Sequence, residues 1–397
     1  MVAKASEILL SKREHVAPLA MIALRGANEL GRKINQHLVK WWNRDVHDVE
    51  TFLVSNECPR FASGDSKGVI KSSIRGNDLF IIVDVANYSC TYEIFGKTGY
   101  MSPDDHYQDL KRVIGATGGK AHRVNVVMPV LYGGRQHRRN YRESLDCAVA
   151  LQELQSMGVE NIITFDAHDP RVCNAIPLMG FDNIIPSYQI LKTLFAELKR
   201  LEGDSPLVVD SRNFMVISPD EGAINRNMYY ASVLSVNLGM FYKRRDYSKI
   251  INGRNPIVAH EYLGDTVEGK SVFISDDIIS SGESMLEVAH ELKKRKAKRI
   301  FAYATYPFFT GGLEKFDSAY RNGIIDCVFG TNLTYRTPEL LERPWYRDVD
   351  ISKYIAYLIA ALNHNVTTGK VIDPHLKIKA LLDKYLTNDE QLTAVNS

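Results

Sequence analysis

Short apolar runs alternate with amphipathic stretches along most of this chain. Residues 79–85, 124–130 and 162–165 are apolar runs of strand length. Between the last two, the stretch 145–154 has apolar residues at the spacing of one helix face. A strand, then a helix, then another strand is the pattern of a parallel sheet. The first half of the chain therefore predicts an α/β unit.

The alternation starts again after Pro186 and predicts a second unit of the same kind. Its elements are a helix at 189–201, a strand at 214–218, a helix at 224–238, a strand at 271–276, a helix at 284–295, strands at 300–306 and near 327–330, and a helix at 351–362. Apolar periodicity of 2 or 3.6 residues supports each of them.

These patterns divide the chain into two α/β domains and a tail. We place the domains at 18–186 and 187–365, with a C-terminal extension at 366–397. The extension contains LKIKALLDKYL, which predicts an amphipathic helix suited to subunit packing or, alternatively, to regulation. The segment 39–58, with its adjacent tryptophans, receives no assigned role.

Residues 269–284, GKSVFISDDIISSGES, carry the first candidate chemistry. An apolar strand leads into Asp276 and Asp277 and then into a hydroxyl-rich turn before a helix. Backbone N–H groups at a helix N-terminus bind anions, and ligands of parallel sheets bind at the carboxyl ends of strands. The segment indicates a phosphate site whose carboxylates suit the hydroxyls of a sugar phosphate. The alternative is an N-capped helix beside two solvated aspartates.

A second segment, VMPVLYGGRQHRRN at 127–140, ends a strand in a glycine pair and a basic run. Three guanidinium groups and an amide at one strand end favour a polyphosphate ligand. By itself, such a run can also be a solvated basic turn.

Five short motifs, in this order and spacing, resemble those of the ribose-phosphate pyrophosphokinases. They are GRQHRR (134–139), FDAHD (165–169), SPDEGAINR (218–226), FYKRRD (241–246) and SDDIISSGES (275–284). The resemblance extends over residues 18–364. It implies two phosphoribosyltransferase-like domains in tandem, each a mostly parallel sheet flanked by helices.

Composition limits the alternatives. The chain has 397 residues, of which 45% are hydrophobic and 24% charged, and a formal net charge of +2. No overall attraction to nucleic acid or membrane follows from that charge. Five cysteines without a C-x-x-C pair favour reduced thiols, and the N-terminus lacks the pattern of a signal peptide. We expect a soluble cytoplasmic protein.

The resemblance implies transfer of a pyrophosphoryl group from ATP to the 1-hydroxyl of ribose 5-phosphate. Charge grows on the departing phosphate oxygen, so catalysis depends on positioning and charge neutralisation. In the family, the lysine and second arginine of a KRR run supply that neutralisation, which assigns it to Lys243 and Arg245. The surrounding basic sequence suits a mobile flap, and a solvated basic loop is the alternative.

The same resemblance assigns the ligand sites. It assigns Mg²⁺ binding to His168 and Asp220, because this ion takes few protein ligands and several phosphate oxygens. It assigns binding of the sugar phosphate to residues of the strand end and turn, namely Asp276, Asp277, Ser280, Ser281, Gly282 and Ser284. It assigns binding of the nucleotide to Arg135, Gln136 and Arg138.

The family completes the nucleotide site with an aromatic and acidic motif from a neighbouring subunit. Here that motif is RFASGD at 60–65, so Phe61 would stack on adenine and Asp65 would accompany it. The implied assembly is a dimer-based homo-oligomer, with a hexamer and a dimer both left open by the sequence.

The phosphate loop departs from the family pattern D-D-I-x-D-T-G/A-G-T. Ser280 replaces the third aspartate, Ser281 and Ser284 replace threonines, and Glu283 replaces a glycine. His137 also replaces an acidic residue. Other readings therefore remain open: a pyrophosphokinase with a different ribosyl phosphate acceptor, a phosphoribosyltransferase, or a regulatory homologue without turnover.

Overall fold

The computed structural model describes residues 15–43, 48–139, 141–204, 207–245 and 257–385. The chain forms two compact units. The first contains the chain up to Pro186 together with Asn332–Tyr335 and Asp350–Pro374, and the second contains the remainder.

A five-stranded parallel sheet with the order β1-β4-β7-β8-β9 forms the centre of the first unit. Its strands β1 and β4 are buried along their whole length, as expected for a parallel sheet covered on both faces. Two short antiparallel ribbons, β2–β3 and β5–β6, accompany the sheet. The strands are β1 (Leu19–Ala23), β2 (Asn56–Glu57), β3 (Val69–Ile70), β4 (Asp78–Ile82), β5 (Thr91–Ile94), β6 (Lys97–Tyr100), β7 (Arg123–Val127), β8 (Val159–Phe165) and β9 (Gly180–Ile184).

The second unit is built on a seven-stranded sheet with the order β12-β11-β10-β13-β14-β15-β16. Every neighbouring pair is parallel except β11 and β12, which are antiparallel. The strands are β10 (Phe214–Ser218), β11 (Asn237–Arg245), β12 (Ile257–Leu263), β13 (Ser271–Ile279), β14 (Arg299–Pro307), β15 (Cys327–Thr331) and β16 (Tyr346–Val349).

Helices connect most of the parallel strands. The first helices are α1 (Asn28–Trp42), α2 (Pro103–Ala116), α3 (Asp146–Ser156), α4 (Ser187–Glu202), α5 (Ile224–Leu234) and α6 (Glu283–Lys294). The later ones are α7 (Glu314–Arg321), α8 (Pro338–Leu341), α9 (Ser352–Asn363), α10 (Gly369–Ile372) and α11 (His375–Tyr385). No helix in the described part of the chain is long and apolar enough to span a membrane.

The predicted α/β fold with two mostly parallel sheets is confirmed, with local corrections. The predicted helix 224–238 is wrong at its end, because Ser235 takes a left-handed conformation with φ 53° and closes α5. The N–H of Val236 then donates to the carbonyl of Ala231 at 3.0 Å, and the following residues form β11. This arrangement is typical of a left-handed helix C-cap.

The pattern predicts no strand at 346–349, because polar residues interrupt the apolar run. The segment nevertheless pairs with β15 as the edge strand β16. Arg347 donates to Glu197 of α4 at 3.0 Å, and Asp348 accepts from Arg336 at 2.9 Å. Ion pairs on both faces therefore let a polar edge strand form.

A buried carboxylate, Asp78, joins distant parts of the first unit. It accepts two hydrogen bonds from Arg123, at 2.8 and 2.7 Å, and one from Asn125 at 2.7 Å. Asn363, at the end of α9, donates to the same carboxylate at 3.0 Å. Buried charges persist when they are paired and fully hydrogen-bonded. The helix predicted at 351–362 therefore belongs to the first unit.

Two further segments contribute to packing within their units. Trp41, from the unassigned segment 39–58, is buried against Tyr357 of α9, with ring centroids 4.6 Å apart. The amphipathic sequence of the predicted tail forms α11, whose Tyr385 stacks on Phe195 of α4 at 5.9 Å. Both segments thus stabilise the units to which they belong.

Candidate active site

In the second unit, the predicted phosphate loop joins β13 to α6. Gly282 precedes the first helical residue with φ +79°, a conformation that favours glycine. Gly282, the N-cap residue, has no side chain to cap α6, and the N–H of Glu283 donates to the hydroxyl of Ser281 at 3.5 Å. The hydroxyl of Ser280 lies 3.4 Å from that of Thr310, and the N–H of Thr310 donates to the Ser280 carbonyl at 2.9 Å. The loop thus joins a strand end, a glycine turn and a helix N-terminus, as predicted from the sequence.

Glu283 replaces a family glycine in this loop, and its side chain points toward α7. Its exposed carboxylate forms an ion pair with Lys315, and this partner lowers the pKa of Glu283 below its usual range. The negative charge is therefore compensated by a neighbouring cation.

Asp276 and Asp277 lie side by side within the last four residues of β13, which extends beyond the predicted strand end at 276. The N–H of Asp277 donates to Oδ1 of Asp276 at 2.8 Å, and Nη1 of Arg226 lies 3.7 Å from the same oxygen. Burial, and then the charge of Asp277, raise the pKa of Asp276 well above its usual range, although Arg226 opposes the rise. The pair therefore holds a proton more tightly than two solvated carboxyls would.

Asp220 lies close enough to this pair for its charge to add to the raised pKa of Asp276. It follows β10, and its Oδ1 accepts from the N–H of Ala223 at 3.2 Å. The second unit thus brings the predicted metal ligand Asp220 together with the predicted sugar-binding acids.

Two residues of this cluster were not assigned a role from sequence, namely Arg226 and Asn227. Asn227 is buried, and its Nδ2 donates to the carbonyls of Ser275 at 2.8 Å and Ala223 at 2.9 Å. It thereby fixes the Asp220 turn against the end of β13. The only sequence signal was that Arg226 ends SPDEGAINR and Asn227 follows it, inside a helix where amides and guanidinium groups are ordinary surface residues.

We expect Asp276→Asn to stabilise the protein more at pH 8 than at pH 5. The folded state keeps the Asp276 proton to a higher pH than the unfolded chain, so stability falls as pH rises from the usual carboxyl range through the raised pKa. Removing the ionisable group removes that loss. Thermal unfolding at both pH values measures it.

The exposed Asp383 of α11 provides the matched control, since Asp383→Asn changes the same group on the surface. Equal effects of Asp276→Asn at the two pH values would contradict the raised pKa.

The flap motif lies on β11, which continues through Arg245. Lys243 pairs with His260 and Arg245 with Ile257 in the antiparallel ladder with β12, and the register shifts between Arg244 and Arg245. The strand is thus longer than the short strand predicted. The predicted loop continues into residues 246–256, which lie outside the described residues.

In the first unit, His168 follows β8 and is exposed. Asp166, two residues earlier, is buried with φ 44°, an unusual left-handed conformation for a residue with a side chain. The next N–H, that of Ala167, donates to Oδ1 of Asn183 at 2.9 Å. Such strained turns concentrate at functional sites. The turn directs the chain so that the imidazole of His168 reaches solvent at the carboxyl end of the sheet.

The GRQHRR segment forms the turn between β7 and α3. The side chains of Arg135 and Arg138 are exposed, whereas the amide of Gln136 donates to the carbonyl of Ser144 at 3.0 Å. The ring of His137 lies 5.3 Å from that of His168. The first unit thus brings the predicted nucleotide segment next to the predicted metal ligand.

His137, which stands where the family has an acid, contacts an acid instead. Its Nε2 lies 3.5 Å from Oδ2 of Asp169. Hydrogen bonds from Arg171 lower the pKa of Asp169 to about 2, and the charge of His137 acts in the same direction. Position 137 thus lacks the family's carboxylate, but the carboxylate of Asp169 in the FDAHD segment lies next to it.

The RFASGD segment forms a tight turn. The N–H of Phe61 donates to the Asp65 carbonyl at 2.7 Å, and the Ser63 hydroxyl donates to the Asp65 carboxylate at 2.9 Å. Phe61 is 55% exposed. Among the described residues, no hydrogen bond or ion pair joins this turn to the GRQHRR segment. Phe61 therefore presents its ring to solvent, apart from the other predicted nucleotide residues.

Comparison with known proteins agrees with these features. The model for the N-terminal domain of ribose phosphate pyrophosphokinase matches residues 19–158, and that for the phosphoribosyl transferase domain matches 183–324. Ribose-phosphate pyrophosphokinase from Shewanella oneidensis is 29% identical over 77% of this chain and 86% of its own length. The enzyme of the same name from Vibrio cholerae is 28% identical over 77% and 87%.

A solved structure shows the same fold. Phosphoribosylpyrophosphate synthetase from Mycobacterium smegmatis is similar with a TM-score of 0.68 and 19% identity, covering 88% of this chain and 99% of that one. Since the two family models together match well over half of the sequence, this chain belongs to the ribose-phosphate pyrophosphokinase family of enzymes.

Proposed function

We propose that this enzyme transfers the pyrophosphoryl group of ATP to the 1-hydroxyl of ribose 5-phosphate, giving 5-phosphoribosyl 1-pyrophosphate and AMP. The observation that carries the proposal is the segment in which two acids near the end of β13 are followed by a glycine turn and the N-terminus of α6. Backbone N–H groups at a helix N-terminus suit a phosphate, and adjacent carboxylates suit sugar hydroxyls. A substrate with both groups matches this loop.

In this proposal, the ribose phosphate is bound as follows. The N–H groups that begin α6 bind the 5-phosphate together with the hydroxyls of Ser281 and Ser284. Ser280 adds a further hydroxyl, and Gly282 allows the close backbone approach. Asp276 and Asp277 accept hydrogen bonds from the ribose hydroxyls, which favours the loss of their retained proton on binding.

The nucleotide and metal are assigned to other segments. The exposed guanidinium groups of Arg135 and Arg138, with Gln136, bind the ATP phosphates. On the family resemblance we assign Mg²⁺ to His168 and Asp220, since this ion needs few protein ligands when phosphate oxygens would supply the rest. When bound, the ion neutralises phosphate charge.

Lys243 and Arg245 neutralise the charge that develops on the departing α-phosphate oxygen. No covalent nucleophile is required, because the ribose hydroxyl attacks the β-phosphorus directly. The Asp276–Asp277 pair orients that sugar without taking part in a covalent bond.

Incubation with ATP, Mg²⁺ and ribose 5-phosphate, followed by ³¹P NMR, tests the proposal. We expect equal amounts of AMP and phosphoribosyl pyrophosphate. Because Ser280 stands where the family has an acid, other ribosyl phosphates belong in the same assay. AMP formation only with another acceptor would identify that acceptor as the substrate. Nucleotide binding without any AMP would indicate a regulatory homologue.

We also infer that the enzyme acts as a homo-oligomer, because exposed Phe61 and Asp65 are assigned to a neighbouring subunit's nucleotide. Mixing inactive Lys243→Ala protein with an inactive Phe61→Ala, Asp65→Ala double variant should restore part of the activity. Some subunit pairs then combine an intact flap with an intact RFASGD turn. Proven subunit exchange without recovery would place both residues in their own subunit's site or outside any site.

The proposed location is the cytoplasm. All five cysteines lie in the described part of the chain and are free thiols. Burial raises the pKa of Cys147 to about 11, so this thiol stays protonated and unreactive.

A further inference from the structure

Phe316 of α7 lies directly behind the phosphate loop of the second unit. It is fully buried, and its ring contacts those of Phe309 at 4.9 Å and Trp345 at 5.5 Å between centroids. We call these three rings the aromatic support. A Cβ atom added at Gly282 would lie only 2.2 Å from Cε2 of Phe316 and 2.6 Å from its Cζ. The backbone of the loop therefore rests on the ring edge with no space for a side chain.

The aromatic support also reaches the other end of the loop. Phe309 has φ 48°, and its N–H donates to the carbonyl of Ile279, the last residue of β13, at 3.2 Å. The indole N–H of Trp345 donates to Asp317 of α7 at 2.7 Å, which fixes that ring. Buried rings that are closely packed cannot shift independently. The loop is thus held from Ile279 at one end and from Gly282 at the other.

We propose that Phe316 is a positioning residue for the sugar phosphate: through Gly282, it sets the place of the N–H and hydroxyl donors that bind the 5-phosphate. This inference rests on the proposed function of the loop. Donors must be held within about half an ångström of their working positions by the residues that pack around them. A smaller side chain at 316 lets the loop move toward the core and away from its ligand.

The test compares Phe316→Leu with Phe329→Leu. Both variants shorten a fully buried phenylalanine of the second unit, but Phe329 lies on β15 and packs against Phe301. We expect Phe316→Leu to raise the KM for ribose 5-phosphate about tenfold to a hundredfold, since a displacement of about 1 Å can cost about a hundredfold. The KM for ATP and the kcat should stay within about threefold of wild type, as should all constants of Phe329→Leu.

A double-mutant cycle tests the contact itself. Gly282→Ala alone forces its methyl group against Cε2 and Cζ of Phe316, whereas leucine at 316 lacks both atoms. The combined variant should therefore bind ribose 5-phosphate better than the product of the two single effects predicts. If the effects of the two single variants on ribose 5-phosphate binding simply multiply in the combined variant, the ring does not act through Gly282.

Calorimetric titration with ribose 5-phosphate separates this inference from the proposed reaction. Weaker binding in Phe316→Leu but not in Phe329→Leu supports the positioning role even if the wild-type protein forms no AMP. Equal affinities in wild type and Phe316→Leu overturn the positioning role alone. A wild-type protein that does not bind ribose 5-phosphate overturns both the role and the proposed acceptor.

Discussion

Replacing Ser281 and Ser284 together by alanine should raise the KM for ribose 5-phosphate by roughly two to four orders of magnitude. The change removes two hydrogen bonds to a charged phosphate, each worth about 1.5–3 kcal/mol, and every 1.4 kcal/mol or so is about tenfold. Both residues lie where the glycine turn enters α6. The KM for ATP should change little, because the nucleotide is assigned to other segments. Steady-state kinetics with each substrate varied in turn measures both constants.

Two control variants sharpen this result. Ser156→Ala removes a hydroxyl at the end of α3, where it donates to the Glu153 carbonyl at 2.7 Å, and should change neither KM. Glu283→Gly should leave the affinity for ribose 5-phosphate unchanged or improve it, because the Glu283 carboxylate is paired with Lys315. Loss of activity in Glu283→Gly would instead assign this carboxylate the task of the missing family aspartate. A normal KM in the double serine variant would contradict the proposed hydroxyl donors.

Lys243→Ala should lower turnover by about three orders of magnitude, the scale on which one preorganised transition-state donor acts. The affinity for ATP should change far less, because the ammonium group is needed mainly for charge that develops during transfer. Lys243 lies in the regular ladder between β11 and β12, opposite His260, so removing its side chain leaves the backbone pairing in place. Rapid-quench measurement of AMP formation at saturating substrates gives the rate.

Lys296 of the same unit supplies the matched control. It is exposed and paired with Glu268 at 2.9 Å, so Lys296→Ala removes a lysine outside any predicted site. Turnover in that variant should remain normal. Near-normal turnover in Lys243→Ala would remove Lys243 from the mechanism.

The sequence predicted those features that depend on local patterns. Buried strands such as β10 are continuous apolar runs, and the phosphate loop combines turn, hydroxyl and helix signals within sixteen residues. The burial of Met285 and the other apolar positions of α6 agrees with its predicted face. The resemblance to a known family added roles that no local pattern contains.

Features that depend on distant contacts could not be predicted in this way. The contact between Gly282 and Phe316 joins residues far apart in the chain, and nothing in either local sequence indicates it. The direction of the Glu283 carboxylate depends on Lys315 of another helix. Likewise, Asn227 acts through the carbonyl of Ser275, which belongs to a different strand. Side-chain partners of this kind are set by tertiary structure, and periodicity carries no information on them.

The carboxylate of Asp78 has a consequence for the order in which the chain folds during synthesis. Its partner Asn363 follows 285 residues later, which corresponds to roughly a quarter of a minute to one minute of translation. Until then the nascent first unit lacks α9 and exposes a charge that is buried in the finished protein. The second unit's sheet, which ends with β16 at Val349, leaves the ribosome before that helix does. The unit that begins first is thus completed only after the sheet of the other has been synthesised, and a ribosome-bound chain lacks a buried partner of Asp78 until α9 emerges.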